Sequence, residues 1–566
     1  MLNLDKILSC AVIVMEKQDN TKSICAYFTA KEEVDIKEIR DYLQKALPKY
    51  MVPAYFVQME GLPYTPNGKI DRKKLRTIIP TLTSHEEDDV SGLTKEELIF
   101  VEIWKDLLKL EHISVNDDFF EIGGNSLLAI NLQINAMKSG IDIKYKDIFK
   151  YKTIRNILKK DDTNTYKLEL NHYDYSDINQ LIQENSVKNI PPKLKKQKIG
   201  NIFLTGATGF LGAHILDKFL QEEEGKVYCL IRGKTLESCK ERLVHDLEFY
   251  FGNKYTNEID NRIQVLNGDI TNERLKLNGS TLQLLFNEIT TVVHAASLVK
   301  HYGNESDFLN ININGVKNVI NFCKIYNKKL VYISTISVAG IVDNTSVFSE
   351  RNLYISQKTD NLYIYSKFMA ERAVLENILD GLDAIIIRPG NILNRYTDFK
   401  FQKNFKENRF INELKSFIGI RRIPDSLKNK DIEISPVDYL STAIIRLLQH
   451  PSKANIFNLI NVNTIKLYEM IEILKELNIN IRFVENVEFE KLIGEMIQKD
   501  ENNDILSGFI NHIGNKINID IENDTSIDAS FTKQYLSTIG FNWLLLDENY
   551  IKNIIKYFHD IDYFNY

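Results

Sequence analysis

The sequence predicts a multidomain protein whose largest part is an α/β fold with a doubly wound parallel sheet. The chain has 566 residues, enough for three or four domains of about 150 residues each. From about residue 200 onward, short apolar runs alternate with helical patterns, and each run ends in small or polar residues. That alternation is typical of a parallel sheet with helices on both faces and a ligand crevice at the carboxyl ends of its strands.

The composition narrows the function classes. Hydrophobic residues make up 44% and charged residues 26% of the chain. The net charge of -6 does not indicate a basic surface for binding nucleic acid. There is no run of about eighteen apolar residues, so we expect no membrane span. The five cysteines are odd in number and form no CxxC pair, which indicates neither a disulfide framework nor a metal site and fits a reducing cytoplasm.

The first region predicts a small α+β unit. Apolar runs indicate strands over 10–15 and 24–29, and a helical pattern covers 36–46. A turn sequence, Thr-Pro-Asn-Gly, then presents Lys69 at an exposed tip. The residues alone leave open whether Lys69 is functional or simply a solvated turn lysine.

A polar linker over 81–92 precedes a predicted helical region. An amphipathic helix begins after Thr94, which forms a capping-box pattern with Glu97. The passage DDFFEIGGNSLLAINLQI then predicts a second helix with Ser126 at its start. Backbone N–H groups at a helix N-terminus favour a phosphodiester anion, although an ordinary N-cap serine fits the same pattern.

The third region opens with the strand, glycine turn and helix of NIFLTGATGFLGAH. Gly206, Gly209 and Gly212 fit a tight turn that approaches a pyrophosphate, and a glycine-rich turn without a ligand is the alternative. The next predicted strand ends at Arg232 rather than at a carboxylate. This favours NADP, because arginine neutralises a 2′-phosphate. Lys234 and Arg242 are candidates to assist, and the alternative for both is a plain surface charge.

Three later strand ends extend the predicted crevice. Asp269 is expected near the adenine and Ala295 with Ala296 near the pyrophosphate, unless they are plain strand ends. Thr335 also follows a predicted strand. Twenty-eight residues later, Tyr363 and Lys367 form a YxxxK pair, one helical turn apart on the same face.

The YxxxK spacing is a weak signal by itself. Tyr27 and Lys31 match it in a region without any cofactor pattern. The order along the chain is more specific: a glycine turn, a cofactor-selecting arginine, a hydroxyl at a strand end, and then the tyrosine and lysine. This order predicts a nicotinamide-dependent active site.

Family resemblance adds to this interpretation. The passage LPKYMVPAYFVQMEGLPYTPNGKIDRKKL resembles the C-terminal subdomain of adenylation domains in nonribosomal peptide synthetases, which implies a 1–78 subdomain whose Lys69 contacts an acyl-adenylate. The large adenylation core of that family does not match this sequence. We therefore expect no adenylation by this chain alone, and a separate adenylation core or an upstream synthetase module as partner.

The DxFFxxGGxS passage resembles a thiolation (peptidyl carrier) domain, with Asn125 in place of the usual histidine or aspartate. The resemblance implies a four-helix carrier bundle over 93–160. It also implies that a phosphopantetheinyl transferase attaches 4′-phosphopantetheine to Ser126. Residues 161–199 are then expected to form a linker.

Residues 200–566 resemble the thioester reductase domains of the extended short-chain dehydrogenase/reductase family, which have a Rossmann fold and a smaller C-terminal substrate subdomain. The motifs Arg388-Pro389-Gly390-Asn391 and Pro436-Val437-Asp438 also match. The resemblance implies Thr335, Tyr363 and Lys367 as catalytic residues. It implies an NADPH site formed by Gly206, Thr208, Gly209, Phe210, Leu211, Gly212, Arg232, Arg242, Asp269, Ile270, Ala295, Ala296, Asn312, Tyr363 and Lys367.

The expected function is NADPH-dependent reductive release of a carrier-bound aminoacyl or peptidyl thioester. Tyr363 is expected to protonate the oxyanion beside Thr335, with its pKa lowered by Lys367. The product is an aldehyde, and a second hydride transfer would give an alcohol. Two alternatives are a redox-inactive offloading or cyclisation domain and a non-enzymatic carrier and docking fragment.

Overall fold

The structure is a computed structural model. It describes residues 4, 6–16, 22–32, 34, 39, 42, 43, 53, 55–64, 70–77, 92–110, 112–120, 122–124, 126–141, 143–159, 170–185, 194–299, 305–342, 346–359, 361–497, 505 and 525–564. The chain divides into two compact units. The first comprises Met1–Asn164 with Ile497–Asn503, and the second comprises Thr165–Met496 with Asp504–Tyr566.

The first unit begins with a three-stranded sheet in the order β1-β2-β3. Strand β2 pairs antiparallel with β1 and parallel with β3. The two strands predicted here are confirmed, whereas Lys69 and most of the helix predicted over 36–46 lie outside the described residues. The elements are β1 (Ile7–Glu16), β2 (Lys22–Ala30), β3 (Tyr55–Gln58) and a short helix α1 (Arg72–Thr77).

The rest of the first unit is helical, with α2 (Lys95–Leu108), α3 (Ser126–Lys138), α4 (Tyr145–Tyr151) and α5 (Ile154–Leu158). The predicted capping box starts α2. The Thr94 N–H donates to Glu97 Oε2 at 2.9 Å, and the Glu97 N–H donates to Thr94 Oγ1 at 3.2 Å. Arg155 lies 3.4 Å from Glu97 Oε1 and so ties α5 to the start of α2.

The second unit is built on a seven-stranded sheet in the order β15-β10-β8-β7-β4-β5-β6. Every neighbouring pair in it is parallel, which confirms the predicted doubly wound sheet. The strand order reverses at β4, and such a reversal opens a crevice at the carboxyl ends of the strands. The strands are β4 (Asn201–Thr205), β5 (Val227–Ile231), β6 (Ile263–Asn267), β7 (Ile289–His294), β8 (Lys329–Ile333), β10 (Ala384–Pro389) and β15 (Ile456–Leu459).

Helices cover both faces of this sheet. Successive residues of β4 point to opposite faces, so Ile202 and Leu204 enter one hydrophobic core and Phe203 enters the other. The helices, with α6 preceding the sheet, are α6 (Ser176–Asn185), α7 (Phe210–Glu222), α8 (Leu236–Phe251), α9 (Gly279–Glu288), α10 (Glu305–Phe308), α11 (Gly315–Tyr326), α12 (Leu362–Leu379) and α14 (Val437–Gln449).

Short strand pairs and further helices form the smaller C-terminal part of this unit. The pairs are β9 with β18, β11 with β14, β12 with β17 and β13 with β16. These strands are β9 (Val347–Phe348), β11 (Ile392–Leu393), β12 (Arg422–Pro424), β13 (Asp431–Ile432), β14 (Ser435–Pro436), β16 (Ile465–Lys466), β17 (Arg482–Val484) and β18 (Ser526–Ile527). The helices are α13 (Arg409–Ile420), α15 (Leu467–Glu476), α16 (Asn486–Ile497), α17 (Ser530–Thr538) and α18 (Glu548–Asp560).

Residues 170–185, which fall in the segment expected to be a linker, pack against helix α12. Tyr173 lies against the guanidinium of Arg372, with 3.6 Å between the ring centroid and Cζ. Tyr175 stacks on Tyr354 at 4.6 Å and meets Phe368 edge-on at 6.0 Å. The segment therefore shares the hydrophobic core of the second unit.

None of the helices in the described part of the chain has the length and apolar character that crossing a bilayer requires.

Candidate active site

The glycine turn lies at the carboxyl end of β4, against the end of β7. Gly206 has a φ of +80°, and a Cβ atom there would lie 2.7 Å from the backbone of both Ala295 and Ala296. A Cβ on Gly212 would lie 2.0 Å from the Gly206 carbonyl oxygen. Both positions therefore require glycine, and the turn brings together the two segments that the sequence predicts at the pyrophosphate.

Helix α7 starts directly after this turn. Thr208 lies in the turn, Gly209 is the N-cap, and Phe210 and Leu211 open the helix. The N-cap makes no side-chain hydrogen bond. The first N–H groups of the helix and its dipole are therefore available to an anion.

The residues expected around the adenosine lie at the same edge of the sheet. Arg232 directly follows β5, and Arg242 lies on α8; both are exposed, and neither forms an ion pair or hydrogen bond with another described residue. Asp269 follows β6, and its Oδ1 accepts hydrogen bonds from Thr271. Ile270 is 9% exposed. Because β5 and β6 are neighbouring parallel strands, Arg232 and Asp269 share one end of the crevice.

Thr335 and Tyr363 meet at the carboxyl end of β8. Thr335 follows that strand, and its Oγ1 accepts the N–H of Ser337 at 3.2 Å. Tyr363 lies in the first turn of α12 and is 7% exposed. Burial raises the pKa of Tyr363 to about 12, and a side-chain hydrogen bond with Thr335 opposes that rise. The phenol consequently keeps its proton at neutral pH.

Lys367 lies one turn further along α12 and is 3% exposed. Its Nζ donates to the carbonyl oxygen of Ile333 at 2.8 Å and lies 4.9 Å from the ring centroid of Tyr332. Burial lowers the pKa of Lys367 to about 7, and Glu371 opposes that shift. The expectation that Lys367 lowers the pKa of Tyr363 is wrong for this geometry: burial dominates that pKa, and the ammonium bonds to a backbone carbonyl.

Asn312 supports this arrangement from the π-helical turn Leu309–Asn314. Its Oδ1 accepts the Leu298 N–H at 2.8 Å and the Ser297 hydroxyl at 3.1 Å. Its Nδ2 donates to Leu298 O at 3.1 Å and to Ser366 Oγ at 2.9 Å. The side chain therefore joins the loop after β7 to α12, between the tyrosine and the lysine.

A buried ion pair beneath α12 escaped the sequence-based interpretation. Arg388 and Glu371 are both 0% exposed, and the guanidinium Nη2 lies 2.7 Å from Glu371 Oε2. Arg388 also donates to the carbonyl oxygens of Ser349 and Asn352. The Arg-Pro-Gly-Asn motif marks Arg388 in the sequence, but its ion-pair partner Glu371 lies 17 residues away on a different element.

Two further polar groups in this unit were also missed. His294, buried at the end of β7, has its Nδ1 2.7 Å from Thr205 Oγ1, and burial lowers its pKa to about 3. Glu433 accepts the N–H groups of Asn391 and Asn461 at 2.5 and 3.0 Å, and its burial raises its pKa to about 7. A histidine directly after two valines at a strand end was the available signal for His294, whereas the sequence held none for Glu433.

In the first unit, helix α3 begins at Ser126 after a glycine pair. Gly123 has a φ of +108°, and a Cβ on Gly124 would lie 2.4 Å from the Phe119 carbonyl oxygen. Phe119 is fully buried and packs edge-on against Trp104, with ring centroids 4.9 Å apart. The glycines are thus required by the turn that leads into the helix carrying Ser126.

Three family models match the chain. One described as "Male sterility protein", a nicotinamide-binding family, matches residues 204–444. One described as "Phosphopantetheine attachment site" matches residues 99–159, and one described as "AMP-binding enzyme C-terminal domain" matches residues 1–69. The three matches follow one another in the order that the sequence predicts.

Individual relatives agree. A thiolation-reductase di-domain from an archaeal non-ribosomal peptide synthetase is 34% identical, with a TM-score of 0.74, over 84% of this chain and 99% of that chain. A linear gramicidin synthase of Brevibacillus parabrevis is 27% identical over 80% of this chain, and L-2-aminoadipate reductase of Saccharomyces cerevisiae is 25% identical over 74% of it. The chain spans only 9% and 33% of the length of these two proteins. This chain belongs to the nonribosomal peptide synthetases, within which it comprises an adenylation C-terminal subdomain, a thiolation domain and a reductase domain of the short-chain dehydrogenase/reductase type.

Proposed function

We propose that the chain reductively releases an aminoacyl or peptidyl thioester, carried on 4′-phosphopantetheine at Ser126, with NADPH as the hydride donor. The observation that carries the proposal is the hydrogen bond from Lys367 Nζ to Ile333 O at 2.8 Å, which holds the YxxxK pair of α12 at the strand end that Thr335 follows. These groups lie at the carboxyl ends of the parallel strands, as does the glycine turn. That is the edge at which a doubly wound sheet holds its ligands.

The residues present fit a dinucleotide. The Cβ-free cradle at Gly206 and Gly212 admits a pyrophosphate, and the N-terminus of α7 offers donors for it. Arg232 and Arg242 supply positive charge where a 2′-phosphate would lie, which supports NADPH over NADH. When bound, NADPH supplies a hydride to the thioester carbonyl carbon.

Tyr363 and Thr335 donate the proton and stabilise the negative charge that develops on the carbonyl oxygen. Tyr363 keeps its proton at neutral pH and donates it from the phenolic oxygen to the carbonyl oxygen as negative charge develops there. The hydroxyl of Thr335, which donates to Ser337 Oγ at 3.2 Å in this structure, would turn to donate a second hydrogen bond to that oxygen. The product of these two transfers is a hemithioacetal. Its hydroxyl proton returns to the Tyr363 phenolate as the carbon–sulfur bond breaks, and the leaving thiolate takes a proton from water, which gives an aldehyde and the free carrier thiol. A second round of hydride and proton transfer would give the alcohol.

The carrier half of the proposal rests on the helix that begins at Ser126. Its glycine turn and helix N-terminus suit a phosphodiester, and the matched attachment-site family supports phosphopantetheine there. A phosphopantetheinyl transferase is the partner that would install the arm. An adenylation core, on this polypeptide or another, would supply the activated acyl group.

The test loads the chain with a panel of acyl-pantetheine groups through a phosphopantetheinyl transferase. NADPH or NADH is then added, and the released product is identified by mass spectrometry. We expect an aldehyde or alcohol with NADPH, and no product from Ser126→Ala, which cannot be loaded. Release of a free acid or a cyclised product without oxidation of NADPH would refute reductive release.

A further inference from the structure

The loop that follows β6 holds two consecutive non-glycine residues in the left-handed region. Leu275 has a φ of +54° and Lys276 a φ of +56°. Such conformations are unfavourable for side-chain-bearing residues, and they persist only where the surrounding structure enforces them. An enforced left-handed lysine therefore needs an explanation.

Hydrogen bonds and packing close this loop tightly. The Asp269 N–H donates to Leu275 O at 2.9 Å, and the Leu277 N–H donates to Arg274 O at 2.9 Å. Leu275 and Leu277 are 0% and 9% exposed, so they anchor the loop in the core. Lys276, between these two anchors, is exposed. The loop thus fixes the backbone from which the Lys276 side chain projects.

Backbone contacts locate the Lys276 loop relative to the predicted adenosine end of the crevice. The Gly268 N–H donates to Ile231 O at 3.1 Å, and a Cβ on Gly268 would lie 2.5 Å from Leu275 O. The Cys239 thiol lies at the same strand end. Its Sγ donates to Ile231 O, the end of β5, at 3.3 Å, and a Cβ on Gly233 would lie 2.4 Å from the same sulfur. Burial raises the pKa of Cys239, the positive charges of Arg242 and Lys276 oppose that rise, and Glu237 adds to it. The loop that carries Lys276 therefore lies beside the end of β5, which Arg232 follows.

Three cations at this end of the crevice form no ion pair with the described residues, although Glu237 lies in the same neighbourhood. Arg232, Arg242 and Lys276 are all exposed, and none forms an ion pair or hydrogen bond with any residue that the structure describes. Like charges brought together without an anion repel each other. Lys240, on the same helix as Arg242, differs in that it pairs with Asp260 at 2.8 Å.

We propose that Lys276 is a specificity-determining residue that binds the 2′-phosphate of NADPH together with Arg232 and Arg242. The inference rests on the proposed use of NADPH and adds a lysine from the loop after β6 to the arginines after β5. A phosphate monoester carries about 1.5 to 2 negative charges at neutral pH and three strong acceptor oxygens, which suits three converging donors.

The test is calorimetric titration of the full chain with adenosine 2′,5′-bisphosphate, adenosine 3′,5′-bisphosphate and 5′-AMP. The variant is Lys276→Gly, which removes the charge and also relieves the left-handed strain, so that lost binding is not a folding defect. Lys240→Met is the matched control. Removing one charge-assisted hydrogen bond should weaken binding of the 2′,5′-bisphosphate about tenfold and leave 5′-AMP unchanged.

Each outcome separates the two proposals. If Lys276→Gly keeps the wild-type preference for the 2′,5′-bisphosphate over 5′-AMP, the role of Lys276 is overturned and the NADPH assignment stands. Equal wild-type affinity for the 2′,5′-bisphosphate and 5′-AMP overturns the NADPH assignment itself. An equal loss for the 2′- and 3′-phosphates in Lys276→Gly shows a general electrostatic effect and overturns the specific site.

Discussion

The Nζ atom of Lys367 donates a hydrogen bond to the carbonyl oxygen of Ile333 at 2.8 Å, inside the protein and at the end of a central strand. Burial of this ammonium lowers its pKa to about 7. A lowered pKa means that the proton is lost as the pH rises through that value. At neutral pH, part of the population therefore has an uncharged Lys367.

This pKa predicts how the rate depends on pH. If the reaction requires the charged form of Lys367, single-turnover reduction should be fastest at about pH 6 and should fall as the pH rises through about 7. The measurement is rapid-quench detection of the aldehyde from the loaded chain between about pH 6 and pH 9. A flat profile would remove Lys367 from the proton-transfer step.

Tyr363→Phe should lower the single-turnover rate by a factor of about 10² to 10⁴, because it removes the general acid. Binding of NADPH, followed by fluorescence titration, should change little. Tyr365→Phe is the matched control, since it removes a hydroxyl from the same helix two residues away. Equal rates in wild type and Tyr363→Phe would show that the phenol is not the proton donor.

Gly212→Ala should impair the nucleotide site. The new Cβ would lie 2.0 Å from the Gly206 carbonyl oxygen, so the turn must shift. We expect the Kd for NADPH to rise at least about tenfold, as for a lost charged hydrogen bond, with a destabilisation of about 1–3 kcal/mol from overpacking. Gly279→Ala, where a Cβ meets nothing within 4 Å, is the control and should leave the Kd unchanged.

Arg388→Met should destabilise the second unit by about 3–5 kcal/mol, because it leaves the carboxylate of Glu371 buried without its partner. The double variant Arg388→Met with Glu371→Leu should recover much of that loss. The urea midpoint of the second unit is measurable from Trp543 fluorescence in a Trp104→Phe background, since the chain has two tryptophans. Strictly additive losses in the double variant would contradict a coupled ion pair.

The sheet was predictable because its signals are local. Each strand is a short apolar run, and the glycine turn after β4 occupies adjacent positions in the sequence. The order of Thr335, Tyr363 and Lys367 likewise pointed to one edge of the sheet, where the structure brings Thr335 and Tyr363 together.

The energetics of the site were not predictable from spacing. The raised pKa of Tyr363 follows from its burial, and the bond from Lys367 to Ile333 depends on how α12 packs over β8. The ion pair between Arg388 and Glu371 joins a strand to a helix, and no spacing pattern in the sequence links these two positions. Such features require the three-dimensional arrangement of the elements.

The polar and aromatic composition of residues 161–199 predicts a linker. Four residues of its described segment 170–185, however, are almost fully buried: Leu170, Tyr175, Ile178 and Ile182. Their helical spacing forms an apolar face, and only the structure shows that this face packs against α12.

That packing matters for anyone who recombines synthetase modules. A junction placed just before β4 would remove Tyr173 from Arg372 and Tyr175 from Phe368, and would leave an uncovered apolar strip on the helix that carries the proposed proton donor. A transplanted reductase would then be prone to aggregation and to a loosely held active site. Fusion points upstream of Leu170 keep that helix covered. The junction between carrier and reductase should therefore lie before Leu170, rather than just before the nucleotide-binding motif.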